Sequence, residues 1–110
     1  MNKNINSIRL IQRDIQAIKQ AFSACFSTKD QLWIFGSRVC PEKRGGDIDL
    51  YVEIALENRH NPSDLFAKKR TFWGLMQEAL GEQKIDIVLN YGQDNLSIYK
   101  VARDEGIQLL

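Results

Sequence analysis

Charge of one sign is what this 110-residue chain lacks: 15 Lys and Arg stand against 14 Asp and Glu, a formal net charge of +1. That balance excludes nucleic-acid binding through a broad basic surface and gives no strong nucleic-acid signal, though a local basic groove stays open. Cysteine is scarce as well. Cys25 and Cys40 are too few for a disulfide framework and lack metal-ligand spacing, so reduced thiols in a cytoplasmic protein are expected. The single histidine, His60, cannot build a histidine-rich metal site, and its polar surroundings predict a solvated side chain. No apolar run is long enough to span a bilayer, and the start Met1-Asn2-Lys3-Asn4 is no signal peptide, so no membrane association is expected. Repeats, low-complexity tracts and linkers are absent. One domain over 1–110, of ordinary globular composition, is the expectation.

Periodicity supplies the elements. Ile8, Ile11, Ile15, Ile18, Phe22 and Cys25 form one apolar stripe and predict a helix from about Ile5 to Phe26, packed on a sheet or on a partner helix. Leu32 to Phe35 reads as a short buried strand that ends at Gly36. A polar loop, 38–46, contains Pro41 and the Gly45-Gly46 pair. Asp47 to Ala55 alternates as a strand, with Ile48, Leu50, Val52 and Ile54 on one face and Asp47, Asp49, Tyr51 and Glu53 on the other. Asn61-Pro62 is an N-cap followed by proline at the first helical position, and Gly81 a C-cap, which bounds a helix to about Leu80. Its apolar face is read as Leu65, Phe66, Phe72, Trp73, Met76 and Leu80, and the triplet Lys68-Lys69-Arg70 as a solvated face, with a phosphate or RNA contact as the alternative. Trp33 and Trp73 are both expected in the core. Lys84 to Leu89 is a third strand, Gln93 to Glu105 a last helix closed by Gly106, and Ile107 to Leu110 a terminal edge strand. Alternating helices and strands place the chain in the α/β or α+β class, with a mixed β-sheet flanked by helices.

The chemistry lies in the order of these pieces. Asp47 and Asp49 share a strand face, and two ionised carboxylates there call for a cation between them. Mg²⁺ suits them, because it takes oxygen ligands and is held by one or two carboxylates plus substrate phosphates. Asp86 sits between Ile85 and Ile87 in a segment built for burial, where a charge needs partners. In matching register it would join Asp47 and Asp49, and such a patch holds one or two Mg²⁺ for phosphoryl or nucleotidyl transfer. Asp86 could also accept the proton of an attacking hydroxyl. Gly36-Ser37 can approach a phosphate closely and donate to its oxygens, although no P-loop pattern is present.

Gly36-Ser37-Arg38, Gly46-Asp47-Ile48-Asp49-Leu50 and Lys84-Ile85-Asp86-Ile87-Val88 together resemble the minimal nucleotidyltransferases of the DNA polymerase β superfamily, over nearly the whole chain. The resemblance implies a polymerase β-like fold, with Asp47, Asp49 and Asp86 as catalytic and Mg²⁺-binding residues. It implies that Gly36, Ser37 and Arg38 bind the triphosphate of a nucleotide such as ATP, with AMP transferred and pyrophosphate released. Where members often carry a glycine after Gly-Ser-Arg, this chain has Cys40 and Pro41, which stiffens the loop. Small members often act as antitoxins of a HEPN-domain toxin, and the resemblance implies transfer of AMP to such a partner. Two alternatives stay open: an antitoxin that neutralises its partner by contact alone, and a transferase acting on a small hydroxylated molecule. Homo- or hetero-oligomerisation is left open too. Glu53 is read as either a supporting residue of the acidic site or an exposed one.

Overall fold

The computed structural model describes residues 10–39, 47–92 and 96–110, and of Ser37 the backbone. Within them three helices and four strands form an α+β fold. The helices are α1 (Gln12–Cys25), α2 (Pro62–Leu80) and α3 (Ser97–Glu105), and the strands β1 (Gln31–Phe35), β2 (Ile48–Glu53), β3 (Ile85–Asn90) and β4 (Ile107–Gln108). The sheet is mixed, in the order β3-β2-β1-β4. β1 runs antiparallel to β2 and β4, and β2 runs parallel to β3. This is the mixed, helix-flanked sheet expected from the pattern, and it is consistent with a polymerase β-like architecture.

Side chains paired across strands share a face, so the register sorts the sheet into two sides. Leu32, Ile34, Leu50, Val52, Ile87 and Leu89 line one side, where α1 and α2 bring Ile15, Ile18, Phe22, Phe72 and Met76 into a single apolar cluster. Phe72 is fully buried, edge-on to both Phe22 and Phe26 with ring centroids 5.7 and 5.8 Å away. The second side is covered by α3, whose Tyr99 and Ala102 pack on Trp33, Phe35 and Tyr51. The alternation of β2 predicted Tyr51 on the polar side, and it is there. It is nonetheless fully buried, because α3 roofs that part of the face.

Local signals explain most boundaries. Asn61 caps α2 by accepting from the Asp64 amide at 3.2 Å, Pro62 occupies the first turn, and Gly81 ends the helix at φ +83°. At that positive φ glycine is the residue without a Cβ penalty. α1 starts later than predicted. Ile11 is its extended N-cap (φ −72°, ψ 154°) and stands 58% exposed, and Ile8 lies outside the described residues. α3 likewise begins at Ser97 after an extended Leu96, whereas its predicted first residues, 93–95, lie outside the described residues. β4 is a true edge strand on β1, extended by the Leu109 amide donating to the Leu32 carbonyl at 2.7 Å. Among the described residues no helix is long and apolar enough to cross a membrane.

Candidate active site

The parallel pairing of β2 with β3 fixes the register Ile48↔Ile85, Asp49↔Asp86, Leu50↔Ile87. Asp49 and Asp86 are therefore direct neighbours on adjacent strands, on the face opposite the α1–α2 core. Carried one step back, the same register brings Asp47 opposite Lys84. The Lys84 ammonium lies 3.5 Å from the Asp47 carboxylate, Lys84 exposed and Asp47 half-exposed, so the pair is worth little to stability. Lys84 is a cation beside the acidic residues that sequence reading did not single out, although its place two residues before Asp86 puts it on the same face.

β1 delivers the third component. Phe35 pairs with Asp49, and the next residue, Gly36, opens a 3-10 turn over Gly36–Arg38. Gly36 has φ +76°, and a Cβ on it would overlap the Asp49 carboxylate. Both the turn and the closeness of backbone to carboxylate require glycine here. The turn is closed by the Val39 amide donating to the Gly36 carbonyl at 3.1 Å and anchored by the buried Val39 side chain. Arg38, on the same turn, is half-buried. Residues 40–46, with Cys40, Pro41 and the glycine pair, lie outside the described residues.

The sequence pattern predicts Asp86 as a buried charge, but it is exposed, with buried Ile85 and Ile87 on either side pointing to the other face. Alternation alone accounts for this: a residue between two core positions of a strand faces away from the core. Asp49 and Asp47 are half-exposed. Among the described residues no three acidic, histidine or cysteine side chains are gathered into a ready-made metal group. The donor chemistry still fits Mg²⁺. Asp49 and Asp86 are two hard oxygen donors side by side, with Asp47 two residues along, and Mg²⁺ characteristically needs only one or two carboxylates besides phosphate.

Two polar features were missed from sequence. Beyond Asp49 and Asp86 on the same face, the Tyr51 hydroxyl donates to Glu53 at 2.8 Å and accepts from Asn90 Nδ2 at 2.9 Å. The Arg103 guanidinium of α3 reaches both the Tyr51 hydroxyl, at 3.1 Å, and Glu53 Oε1, at 2.7 Å. Glu53 is thereby settled as part of the lock that holds α3. Burial, ahead of the neighbouring hydrogen bonds and charges, holds the Tyr51 phenol above its ordinary pKa. The buried carboxylate among the described residues is Asp30, which accepts from the amides of Ser27 and Ala55 and from Asn58 Nδ2 at 3.0, 2.9 and 3.1 Å. These bonds tie the α1–β1 turn to the end of β2, a structural role. His60 is exposed, its Nδ1 3.1 Å from the Glu57 carbonyl, as its loop position suggests.

Trp33 is buried as expected, but Trp73 is 46% and Phe66 40% exposed. With Lys69 and Arg70 they line a cavity of about 600 Å³ against Ile85, Asp86 and Ile87 of β3. The predicted apolar face of α2 is in fact two faces. Leu65, Phe72 and Met76 enter the core, while Phe66, Lys69, Arg70 and Trp73 recur at i, i+3, i+4 and i+7 on a second stripe. No protein-family model matches the chain, and no curated protein matches it either.

Proposed function

We propose that the protein is a Mg²⁺-dependent nucleotidyltransferase that moves AMP from ATP to an acceptor hydroxyl, with a HEPN-type toxin as the acceptor partner. The observation that carries this reading is the Asp49–Asp86 pairing across two parallel strands, with the Gly36 backbone pressed against Asp49. Like-charged neighbours in a sheet are unfavourable by roughly 0.2–1 kcal/mol, and a divalent cation bound between them would turn that repulsion into attraction.

Asp49 and Asp86, joined by Asp47, would hold Mg²⁺, which when bound supplies charge neutralisation for a triphosphate and its leaving group. Gly36 allows the chain to approach a phosphate, and Ser37 and Arg38 on the same turn donate to its oxygens. Asp86 takes the proton of the acceptor hydroxyl. The acceptor oxygen then bonds to the α-phosphorus, the bond from that phosphorus to the bridging oxygen breaks, and pyrophosphate leaves. Transfer of label from α-labelled ATP to a purified HEPN-domain partner tests the reading. Label should appear on the partner with Mg²⁺ and vanish with Asp49→Asn. Unlabelled partner together with full neutralisation by Asp47→Asn/Asp49→Asn would establish the second reading, neutralisation by contact. That reading draws on the exposed Leu96, Ile98 and Val101 at α3, which are 45, 37 and 40% accessible.

A further inference from the structure

The cavity between α2 and β3 lies beyond Asp86 on the far side of the carboxylate pair from Gly36. β1 with its Gly36 turn flanks β2 on one side, and β3 flanks it on the other. Its floor is a strand edge. β3 ends the sheet, and among the described residues no strand pairs with its outer side. The Lys84 and Asn90 carbonyls accept from Ile48 and Ile54 at 3.0 and 2.9 Å, so the even-numbered residues of β3 address β2. Alternation then turns the amides and carbonyls of Ile85 and Ile87 outward, and these two residues line the cavity. Its wall is the second stripe of α2. Phe66 is braced edge-on by Tyr91 at 5.4 Å, Trp73 offers an exposed indole, and Lys69 and Arg70 stand between them. Lys68, the neighbour outside the cavity, lies 3.5 Å from Asp64, whereas Lys69 and Arg70 form no ion pair among the described residues.

We infer that this groove binds an acidic, extended peptide segment of a partner protein, added as a strand to the outer edge of β3. Main-chain hydrogen bonds to Ile85 and Ile87 supply affinity. An apolar side chain between Phe66 and Trp73, and carboxylates on the α2 side of the added strand, opposite Lys69 and Arg70, supply selectivity; Asp86, which also borders the cavity, alternates to the other face of β3, away from those carboxylates. The chain's own first nine residues contain Lys3 and Arg9 and no carboxylate, so their charge does not match the wall. On the transferase reading the bound segment would lie next to Asp86 and be the seat of the acceptor protein. Binding itself needs neither nucleotide nor metal.

The probe is a dye-labelled, capped octapeptide alternating glutamate with valine, one central glutamate replaced by phenylalanine so that the ring and the remaining carboxylates share a face, followed by fluorescence anisotropy without ATP or Mg²⁺. Two controls accompany it: the same peptide with lysine for glutamate, and one N-methylated at alternate amides. The acidic peptide should bind with a dissociation constant on the order of micromolar, and each control about tenfold or more weaker. Lys69→Glu/Arg70→Glu, exposed or half-exposed positions whose folding circular dichroism checks, should reverse the preference toward the lysine peptide. Equal binding of acidic and basic peptides, or no loss on N-methylation, overturns the inference. So does preferential binding of AMP or of single-stranded RNA at this groove. Asp47→Asn/Asp49→Asn should keep full peptide affinity, which separates failure of this inference from failure of the transferase reading.

Discussion

The polar side of the sheet has two ends built from the same strands and treated in opposite ways. At the end where β2 and β3 finish, Tyr51 is roofed by α3, and its hydroxyl joins Glu53, Asn90 and the α3 residue Arg103. At the end where they begin, two residues away, Asp49 and Asp86 sit abreast, half-exposed and exposed, beside a glycine turn. The first end converts polarity into stability by satisfying each group. The second gathers like charge at the rim, where a divalent cation and phosphate can reach it. The comparison teaches that burial on this face follows the reach of α3 and not the polarity of the strand.

Removing the closed end should have the largest effect. Tyr51→Ala loses ring contacts with Trp33 and Tyr99, at centroid distances of 5.3 and 5.8 Å, along with the hydrogen-bond hub. Urea unfolding should show a loss of about 3–5 kcal/mol. Tyr51→Phe keeps the ring and strips the hydroxyl from Asn90 and Arg103, and should cost about 1–3 kcal/mol with MgATP binding unchanged. Gly36→Ala lies at the open end. Its positive φ alone costs roughly 1–2 kcal/mol, and its Cβ displaces the Asp49 carboxylate. Thermal unfolding should fall by several degrees, and MgATP titration should show binding lost. Equal stability of Gly36→Ala and the wild type would break the assignment of that close contact.

How far the chain announced this arrangement depends on the residue. Ile48, Leu50, Val52 and Ile54 declared their face by strict alternation, and all are buried. Asn61-Pro62 and Gly81 marked α2 because capping is local chemistry. The Asp49↔Asp86 register was only conditional, since pairing between segments 37 residues apart is decided by tertiary packing. Asp86 was misjudged as buried because its apolar neighbours were read as a run when they alternate with it. Trp73 and Phe66 were misassigned because an aromatic on an amphipathic helix fits either of two adjacent stripes until the sheet edge is placed. The Arg103 lock was illegible, its partners lying 50 and 52 residues away.

Smaller effects sharpen the contrast. Asp86→Asn relieves like-charge repulsion at the open end, so urea unfolding should show unchanged stability or a gain of up to about 1 kcal/mol. The same variant should lose transferase activity, a divergence that a purely structural carboxylate would not give. The alkaline limb reports the closed end. The Tyr51 phenol, held up mainly by burial, keeps its proton after an unfolded tyrosine, near pH 10, has released its own. Its contribution is therefore full below about pH 10 and is lost as pH rises through the higher folded value. Tyr51→Phe should flatten that limb of a stability-versus-pH curve, and a wild-type curve already flat there would contradict the assignment.

Calorimetric titration of ATP with and without Mg²⁺, on the wild type and on Asp47→Asn/Asp49→Asn, tests the central claim most directly. The account predicts binding that requires Mg²⁺ and disappears in the variant while its fold is retained. ATP binding that ignores Mg²⁺, or survives the double substitution unchanged, would contradict it.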